Sequence, residues 1–165
     1  MPSTANLAVT IPINPPGVEP VLTQSQVWAA LQRKVRHPSE FVPVISSCQV
    51  VSEVDNVVTR VVDFANGRSG VREICTEHKP SRVEFVMDDG TIVQNVVSVG
   101  ASSDDGSVDQ KNMFLTYAFE WKVPQGVTEG SPQWAEFEAN NLKLAGASVS
   151  NSVKVMRNMV KDGRI

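Results

Sequence analysis

The sequence has few of the residues that usually reveal a protein's chemistry. Its 165 residues include only 2 cysteines and 2 histidines, and none of them form a pair or cluster at metal-ligand spacing. Lys and Arg total 15 against 18 Asp and Glu, and the net charge of -3 leaves no basic excess for binding nucleic acid. We therefore expect no metal and no nucleic acid partner.

Several sequence motifs are also missing. There is no glycine-rich dinucleotide motif, P-loop, HExxH pair or nucleophile elbow, which disfavours hydride, phosphoryl and metal chemistry and predicts no cofactor. Nowhere do about 18 apolar residues run together, and Met1–Asn6 lacks the charged and apolar regions of a signal peptide. We expect a cytoplasmic protein without membrane insertion, with Cys48 and Cys75 as buried free thiols.

The chain begins with one strand and two short helices, and a series of strands follows. Leu7–Ile13 alternates as a strand, and Thr23 with Gln26 forms a capping box that begins a helix ending at Pro38. Ser39–Val42 predicts a second short helical turn. Six runs rich in Val, Ile, Thr and aromatic residues come next, over Val44–Glu53, Val57–Phe64, Val71–His78, Arg82–Met87, Thr91–Val99 and Met113–Val123.

The last third of the chain predicts one long helix, which Ser131 and Pro132 open and Gly163 stops. Its middle, Leu144–Ser148, consists mostly of small residues, whereas a long helix normally presents large side chains to a sheet. We therefore expect a cavity beneath this helix. Its apolar stripe consists of Leu142, Ala145, Val149, Val153, Met156 and Val160.

The order of elements and the short turns between strands, Asp89–Gly90 above all, predict an α+β fold. In it a seven-stranded, curved antiparallel sheet wraps around the long C-terminal helix, with two short helices between strands 1 and 2. The alternative is a flat sheet with a filled core and the helix covering one face. We expect a single domain over residues 1–165, frayed at 1–4 and 164–165.

Three aromatic residues near the end of the last strand are candidate ligand contacts. Tyr117, Phe119 and Trp121 share one face because side chains alternate along a strand. They would grip a flat or terpenoid ligand, while the Tyr117 hydroxyl fixes its orientation or transfers a proton. The alternative is that these rings are plain core packing.

An acid on the long helix is a second candidate. Glu138 falls on the same helical stripe as Ala145, and Trp134 and Asn141 flank it. An acid on a core-facing stripe is costly without a partner and is suited to general acid or base catalysis. The alternative is that Glu138, close to the helix start, reaches solvent and is stabilised by the helix dipole.

Arg60 interrupts an apolar alternation between Val58 and Val62. If Arg60 points inward, it needs an anionic partner such as Glu84, Glu120 or a ligand carboxylate or enolate, which it would stabilise in catalysis. With the opposite parity Arg60 lies on the outer face. The candidate catalytic residues are thus Glu138, Arg60 and Tyr117, and the candidate ligand contacts are Phe85, Phe119, Trp121, Trp134, Asn141 and Ala145.

Four strings of the sequence carry a family resemblance: Val71–Cys75, Pro80–Val83, Met87–Gly90 and Leu115–Trp121. They are similar to the fungal AtaL-like family within the START-like superfamily, which includes the birch-pollen allergen, lipid-transfer domains and aromatic polyketide cyclases. The resemblance covers about Ala5–Gly163. It implies a helix-grip fold with a central hydrophobic cavity and a place in fungal secondary metabolism, and it supplies no catalytic motif.

Two functions fit these observations. The first is a cofactor-free cyclase, isomerase or dehydratase that confines a hydrophobic natural-product intermediate in a reactive conformation. The second is a non-catalytic carrier of a lipid or hydrophobic metabolite. In both cases the partner is a hydrophobic small molecule, and a structural protein with a filled core is the third alternative.

Overall fold

The computed structural model describes residues 4–165 as a seven-stranded antiparallel sheet with one α-helix near the start of the chain and a long α-helix at its end. The expected fraying of residues 1–3 lies outside the described residues. In chain order the elements are β1 (Thr4–Pro12), α1 (Gln24–Arg36), a 3-10 turn (Pro38–Glu40), β2 (Ile45–Val54), β3 (Val57–Phe64), β4 (Val71–His78), β5 (Arg82–Met87), β6 (Ile92–Ala101), β7 (Val108–Lys122) and α2 (Pro132–Lys161).

The sheet is a meander in which consecutive strands from β2 to β7 lie side by side. Its order is β1-β7-β6-β5-β4-β3-β2, so β1 pairs with the last strand. The predicted Asp89–Gly90 turn joins β5 to β6, and Gly90 has a φ of 83°, a region that favours glycine. Bulges in the β2–β3 and β6–β7 pairs bend the strands. The prediction of seven antiparallel strands is confirmed.

The helical segment after β1 differs in part from the prediction. The capping box at the start of α1 is confirmed, because Thr23 Oγ1 accepts from the Gln26 N–H and Gln26 Oε1 accepts from the Thr23 N–H. The second predicted helix is only a 3-10 turn at Pro38–Glu40. Pro38 favours the first position of such a turn, and Pro43 cannot continue a helix. One α-helix, rather than two, therefore separates β1 from β2.

Helix α2 packs on β1, β7 and α1. Its buried residues begin at Ala145 and continue along the predicted stripe through Val149, Val153 and Met156. Leu142, predicted on the same stripe, is 55% exposed, and no residue of Pro132–Leu144 is buried. The predicted apolar stripe is therefore correct only for the C-terminal half of the helix.

The two ends of the described chain are tied to the fold. Thr4 already belongs to β1, while the Arg164 N–H donates to the Met159 carbonyl and Ile165 packs against the core. Both cysteines are free thiols as predicted, Cys75 buried and Cys48 half-buried. Within residues 4–165 no helix is long and apolar enough to cross a membrane. The expectation of a single domain stays a prediction.

Candidate functional site

A cavity of about 130 Å³ lies between the sheet, the end of α1 and the middle of α2. This space accommodates a small molecule or one part of a larger one. Ser148, from the small-residue middle of α2, lines it as the sequence led us to expect. The other lining residues are Lys34, Val42, Ile45, Arg60, Phe64, Glu73, Phe85, Met87, Val93, Tyr117 and Phe119.

Lys34 is a buried amine in the lining of this cavity. Helix α1 turns the side chain inward because Lys34 follows the buried Val27 and Leu31 at spacings of seven and three residues. Its Nζ donates to Asn95 Oδ1 at 2.7 Å and to Tyr117 Oη at 2.9 Å. The same nitrogen lies 4.2 Å from the centre of the Tyr117 ring. The side chain is therefore held by two hydrogen bonds and one aromatic face.

Burial controls the charge of this amine. It lowers the pKa of Lys34 from 10.5 to about 7, and the nearby Arg60 guanidinium acts in the same direction. Glu73 and Cys75 oppose this shift more weakly. Lys34 therefore populates both the ammonium and the neutral amine near neutral pH, as a group that gives and takes protons must.

Tyr117 connects the amine to α2. Its hydroxyl donates to Ser152 Oγ at 2.6 Å, and its oxygen accepts the hydrogen bond from Lys34. Burial raises the pKa of Tyr117, so the phenol keeps its proton at neutral pH. The Tyr117 hydroxyl is thus engaged on both sides, and its first role in this arrangement is to orient Lys34.

Arg60 points inward and is only 3% exposed, so the inward one of the two parities that the sequence left open describes its position. Its partner is Glu73, which lies opposite it in the β3–β4 pair, rather than Glu84 or Glu120. The Arg60 Nε donates to Glu73 Oε2 at 2.6 Å. Nη1 donates to the carbonyls of Lys34 and Val35 at 2.9 and 2.6 Å. Arg60 therefore satisfies two of the last carbonyls of α1.

Glu73 brings a carboxylate to the same cavity. Both contacts from Arg60 fall on Oε2, and no hydrogen bond within residues 4–165 reaches Oε1. The residue is 2% exposed and belongs to the cavity lining. A nearly buried carboxylate oxygen is therefore available to a bound molecule.

The aromatic candidates divide between the cavity and its surroundings. Phe85 and Phe119 line the cavity as expected of ligand contacts. Trp121 is half-buried and stacks on Phe119, with ring centres 4.2 Å apart and planes inclined by 17°. Trp121 thus packs against one residue of the cavity wall without lining the cavity itself, and stacked ring pairs of this kind are favourable.

Glu138 lies outside the cavity, and this placement corrects the expectation of a core-facing acid. It is exposed and lines a separate groove of about 280 Å³ between β1 and α2, together with Asn141. The half-buried Trp134 lies against Phe137 on the same helix, and the fully buried Ala145 is not part of the cavity lining. Glu138 therefore reaches solvent, which was the alternative given for it from the sequence.

Sequence reasoning missed four polar residues of the site, although the pattern of each contains a signal. Lys34 continues an apolar helical spacing, and Ser152 falls between Val149 and Met156 on the buried face of α2. Glu73 and Asn95 each interrupt an apolar alternation, at Val71–Cys75 and Val93–Val97. A polar residue at a position of an apolar helix or strand pattern can be recognised as buried only when it is known which face of the element is buried.

The sheet, the long C-terminal helix and the cavity between them define a protein with the helix-grip fold. The family model described as Acetylaranotin biosynthesis cluster protein L, AtaL, matches residues 7–163. The chain therefore belongs to the AtaL family. The expected family is confirmed.

A curated relative agrees with this placement, and solved structures share the fold. Acetylaranotin biosynthesis cluster protein L from Aspergillus terreus (strain NIH 2624 / FGSC A1156) is 27% identical over 162 residues, which cover 97% of this chain and 92% of the relative. The di-domain ARO/CYC StfQ from the steffimycin biosynthetic pathway matches 98% of this chain with a TM-score of 0.67 and 9% identity. This chain spans only 52% of StfQ, about half its length.

A START superfamily protein from Mycobacterium smegmatis has a similar fold. It matches 96% of this chain and 97% of its own, with a TM-score of 0.55 and 9% identity. At these identities the likeness to the two solved structures concerns the fold alone.

Proposed function

We propose that the chain is a cofactor-free enzyme of natural-product biosynthesis, of the cyclase, isomerase or dehydratase type, acting on a hydrophobic carbonyl-containing intermediate. The name of the Aspergillus relative, a biosynthesis cluster protein, supports the biosynthetic role. The aromatase/cyclase fold of StfQ supports the reaction class by analogy. The cytoplasmic location expected from the sequence stays a prediction.

The observation that carries this proposal is the set of ionisable groups buried in the wall of an apolar cavity. Lys34, Arg60 and Glu73 are 6%, 3% and 2% exposed, yet all three line the same cavity as Phe85 and Phe119. Burying such groups costs free energy unless they are paired. An apolar carrier would bind its cargo without them, and ionisable groups in a cleft are typical of catalytic sites.

The proposed chemical roles differ from those of the sequence-based hypothesis. Lys34 replaces Glu138 as the candidate acid, because it lies in the cavity and its pKa is about 7. The free oxygen of Glu73 accepts a proton from a carbon next to a carbonyl, and the Lys34 ammonium stabilises the resulting enolate. Arg60 holds Glu73 and the end of α1 in place and is thereby a positioning residue.

A carrier of a hydrophobic metabolite is the second candidate function. The observation in its favour is the apolar majority of the lining, which includes Phe64, Met87 and Val93. Such walls hold a ligand without any chemistry. The two functions therefore differ in what the polar residues of the cavity contribute, and not in the cavity itself.

The first experiment is native mass spectrometry and solvent extraction of the protein purified from its producing organism, followed by incubation of the extracted compounds with fresh protein. An enzyme converts one of them, and Lys34→Met abolishes the conversion. A carrier returns its ligand unchanged, and Lys34→Met still binds it. Lys154→Met, at an exposed position of α2, is the matched control and is expected to behave as the unaltered protein. Unchanged conversion by Lys34→Met would contradict the proposed mechanism.

A further inference from the structure

The hydrogen bonds around Lys34 fit a neutral amine with a free lone pair. Nζ donates to Asn95 Oδ1 and Tyr117 Oη, which uses the two N–H groups of a neutral amine. Tyr117 gives its own proton to Ser152, so its oxygen is available as an acceptor for Lys34. An unprotonated Lys34 thus has both hydrogens engaged, and its lone pair is left for a third partner.

The third partner would come from the cavity. Lys34 is part of the cavity lining and retains 6% exposure. The two hydrogen bonds of its Nζ go to Asn95 and Tyr117, so a third partner would be a molecule bound in the cavity. Phe85 and Phe119 supply apolar walls beside it, so an aldehyde or ketone bound there would be largely stripped of water. Desolvated lysines in such pockets are known nucleophiles toward carbonyl groups.

We propose that Lys34 forms an imine with an aldehyde or ketone group of the bound molecule, which names the substrate class as reactive carbonyl compounds. This inference rests on the proposed function and deepens it. The Lys34 lone pair attacks the carbonyl carbon to give a carbinolamine, which loses its hydroxyl group with one proton as water. The C=N bond replaces the C=O bond, with no oxidation or reduction. The protonated imine then withdraws electrons from the adjacent carbon, from which the Glu73 carboxylate in the same cavity accepts a proton.

A reductive trapping experiment tests this step. The folded protein is incubated at pH 7 with benzaldehyde and sodium cyanoborohydride, whose hydride reduces the imine to a stable benzylamine, and the modified lysines are mapped by mass spectrometry. An exposed lysine of ordinary pKa is neutral in only about one molecule in 2,500 at this pH. We expect Lys34 to be labelled at least about tenfold faster than the exposed Lys154 of α2.

Two variants control the site of reaction. Lys34→Met is expected to lose the fast phase of labelling while its circular dichroism spectrum remains that of the unaltered protein. Lys154→Met removes an exposed amine from α2 and is expected to keep the fast phase. Persistence of fast labelling at a lysine in Lys34→Met would show that another lysine is responsible and would overturn the proposal.

A second measurement separates this proposal from the proposed function. Saturation-transfer NMR reports whether benzaldehyde itself contacts the protein, with Lys34→Met as the reference. Binding of benzaldehyde without an adduct on Lys34 overturns the imine and leaves acid–base catalysis in the cavity intact. If benzaldehyde neither binds nor labels Lys34, the imine is also overturned, and conversion of the extracted compounds decides the proposed function separately.

Discussion

The protonation of Lys34 should make the stability of this protein depend on pH in a predictable direction. The pKa of Lys34 is about 7 in the folded protein against 10.5 for an unperturbed lysine. The difference of about 3.5 pH units corresponds to roughly 5 kcal/mol of unfavourable free energy when the buried amine carries its proton. Lys34→Met keeps an unbranched side chain and removes this titration.

The sign follows from counting protons. Between pH 7 and pH 10.5 the unfolded chain holds a proton on Lys34 that the folded chain has released, so the unaltered protein gains stability as pH rises. Below pH 7 both states are protonated and the full cost is present. The free energy of unfolding of the unaltered protein should therefore rise relative to Lys34→Met by about 2–3 kcal/mol between pH 6 and pH 9.

The neighbouring titratable groups do not confuse this comparison. Arg60, Glu73 and Cys75 act on the pKa of Lys34 from β3 and β4, and Tyr117 contacts it from β7. Burial raises the pKa of Cys75 to about 12 and raises that of Tyr117, so both groups lower stability only in alkaline solution. Because both residues are present in both proteins, their contributions largely cancel in the difference.

Urea unfolding followed by tryptophan fluorescence at pH 6, 7, 8 and 9 measures this effect, since Trp28 is buried in the core. At pH 6 Lys34→Met is expected to be more stable than the unaltered protein. The difference in their free energies of unfolding should shrink at each step above pH 7. A difference that stays constant within about 0.5 kcal/mol across this range would refute the reasoning, because it would mean that Lys34 titrates alike in both states.

Three further predictions concern the surroundings of the amine. Arg60→Met leaves Glu73 buried without its ion pair and is expected to lower the free energy of unfolding by about 3–5 kcal/mol in urea titrations; a loss below about 1 kcal/mol would contradict the role given to this pair. Ser148→Phe fills the cavity from α2 and should abolish the fast benzaldehyde labelling of Lys34 while the protein stays folded; undiminished labelling would place the reaction elsewhere. Glu138→Gln should leave both labelling and conversion within about twofold, because Glu138 lies outside the cavity, and a larger loss would return it to the site.

The fold follows from local signals that the sequence states clearly. The capping box at Thr23, the turn at Asp89–Gly90 and the alternation along the strands each reflect a nearby physical preference, and the structure confirms all three. The apolar stripe of α2 was extended too far toward its start. Periodicity says which residues share a face of a helix, but the point where the helix meets the sheet depends on tertiary packing.

The site was predictable only in part because its polar residues come from six different elements. Phe119 and Tyr117 followed from strand alternation once one face was assumed to be concave. Lys34 could not be recognised in the same way, since a lysine on a short amphipathic helix usually extends to solvent. Its meeting with Asn95 across 61 residues of chain is a property of the sheet order and not of any local pattern.

Arg60 explains why the Glu73 carboxylate does not hold Lys34 in its charged form. Without a guanidinium beside it, the Glu73 carboxylate would be the natural partner of the Lys34 ammonium and would hold that amine in its charged form. The ion pair between Arg60 and Glu73 engages Oε2, and the positive charge of Arg60 disfavours a second cation nearby. The same guanidinium binds the backbone carbonyls of Lys34 and Val35, so it fixes the end of α1 from which the amine projects. One arginine thus fixes the position of Lys34 and lowers its pKa, which is the combination that a neutral amine in an apolar cavity requires.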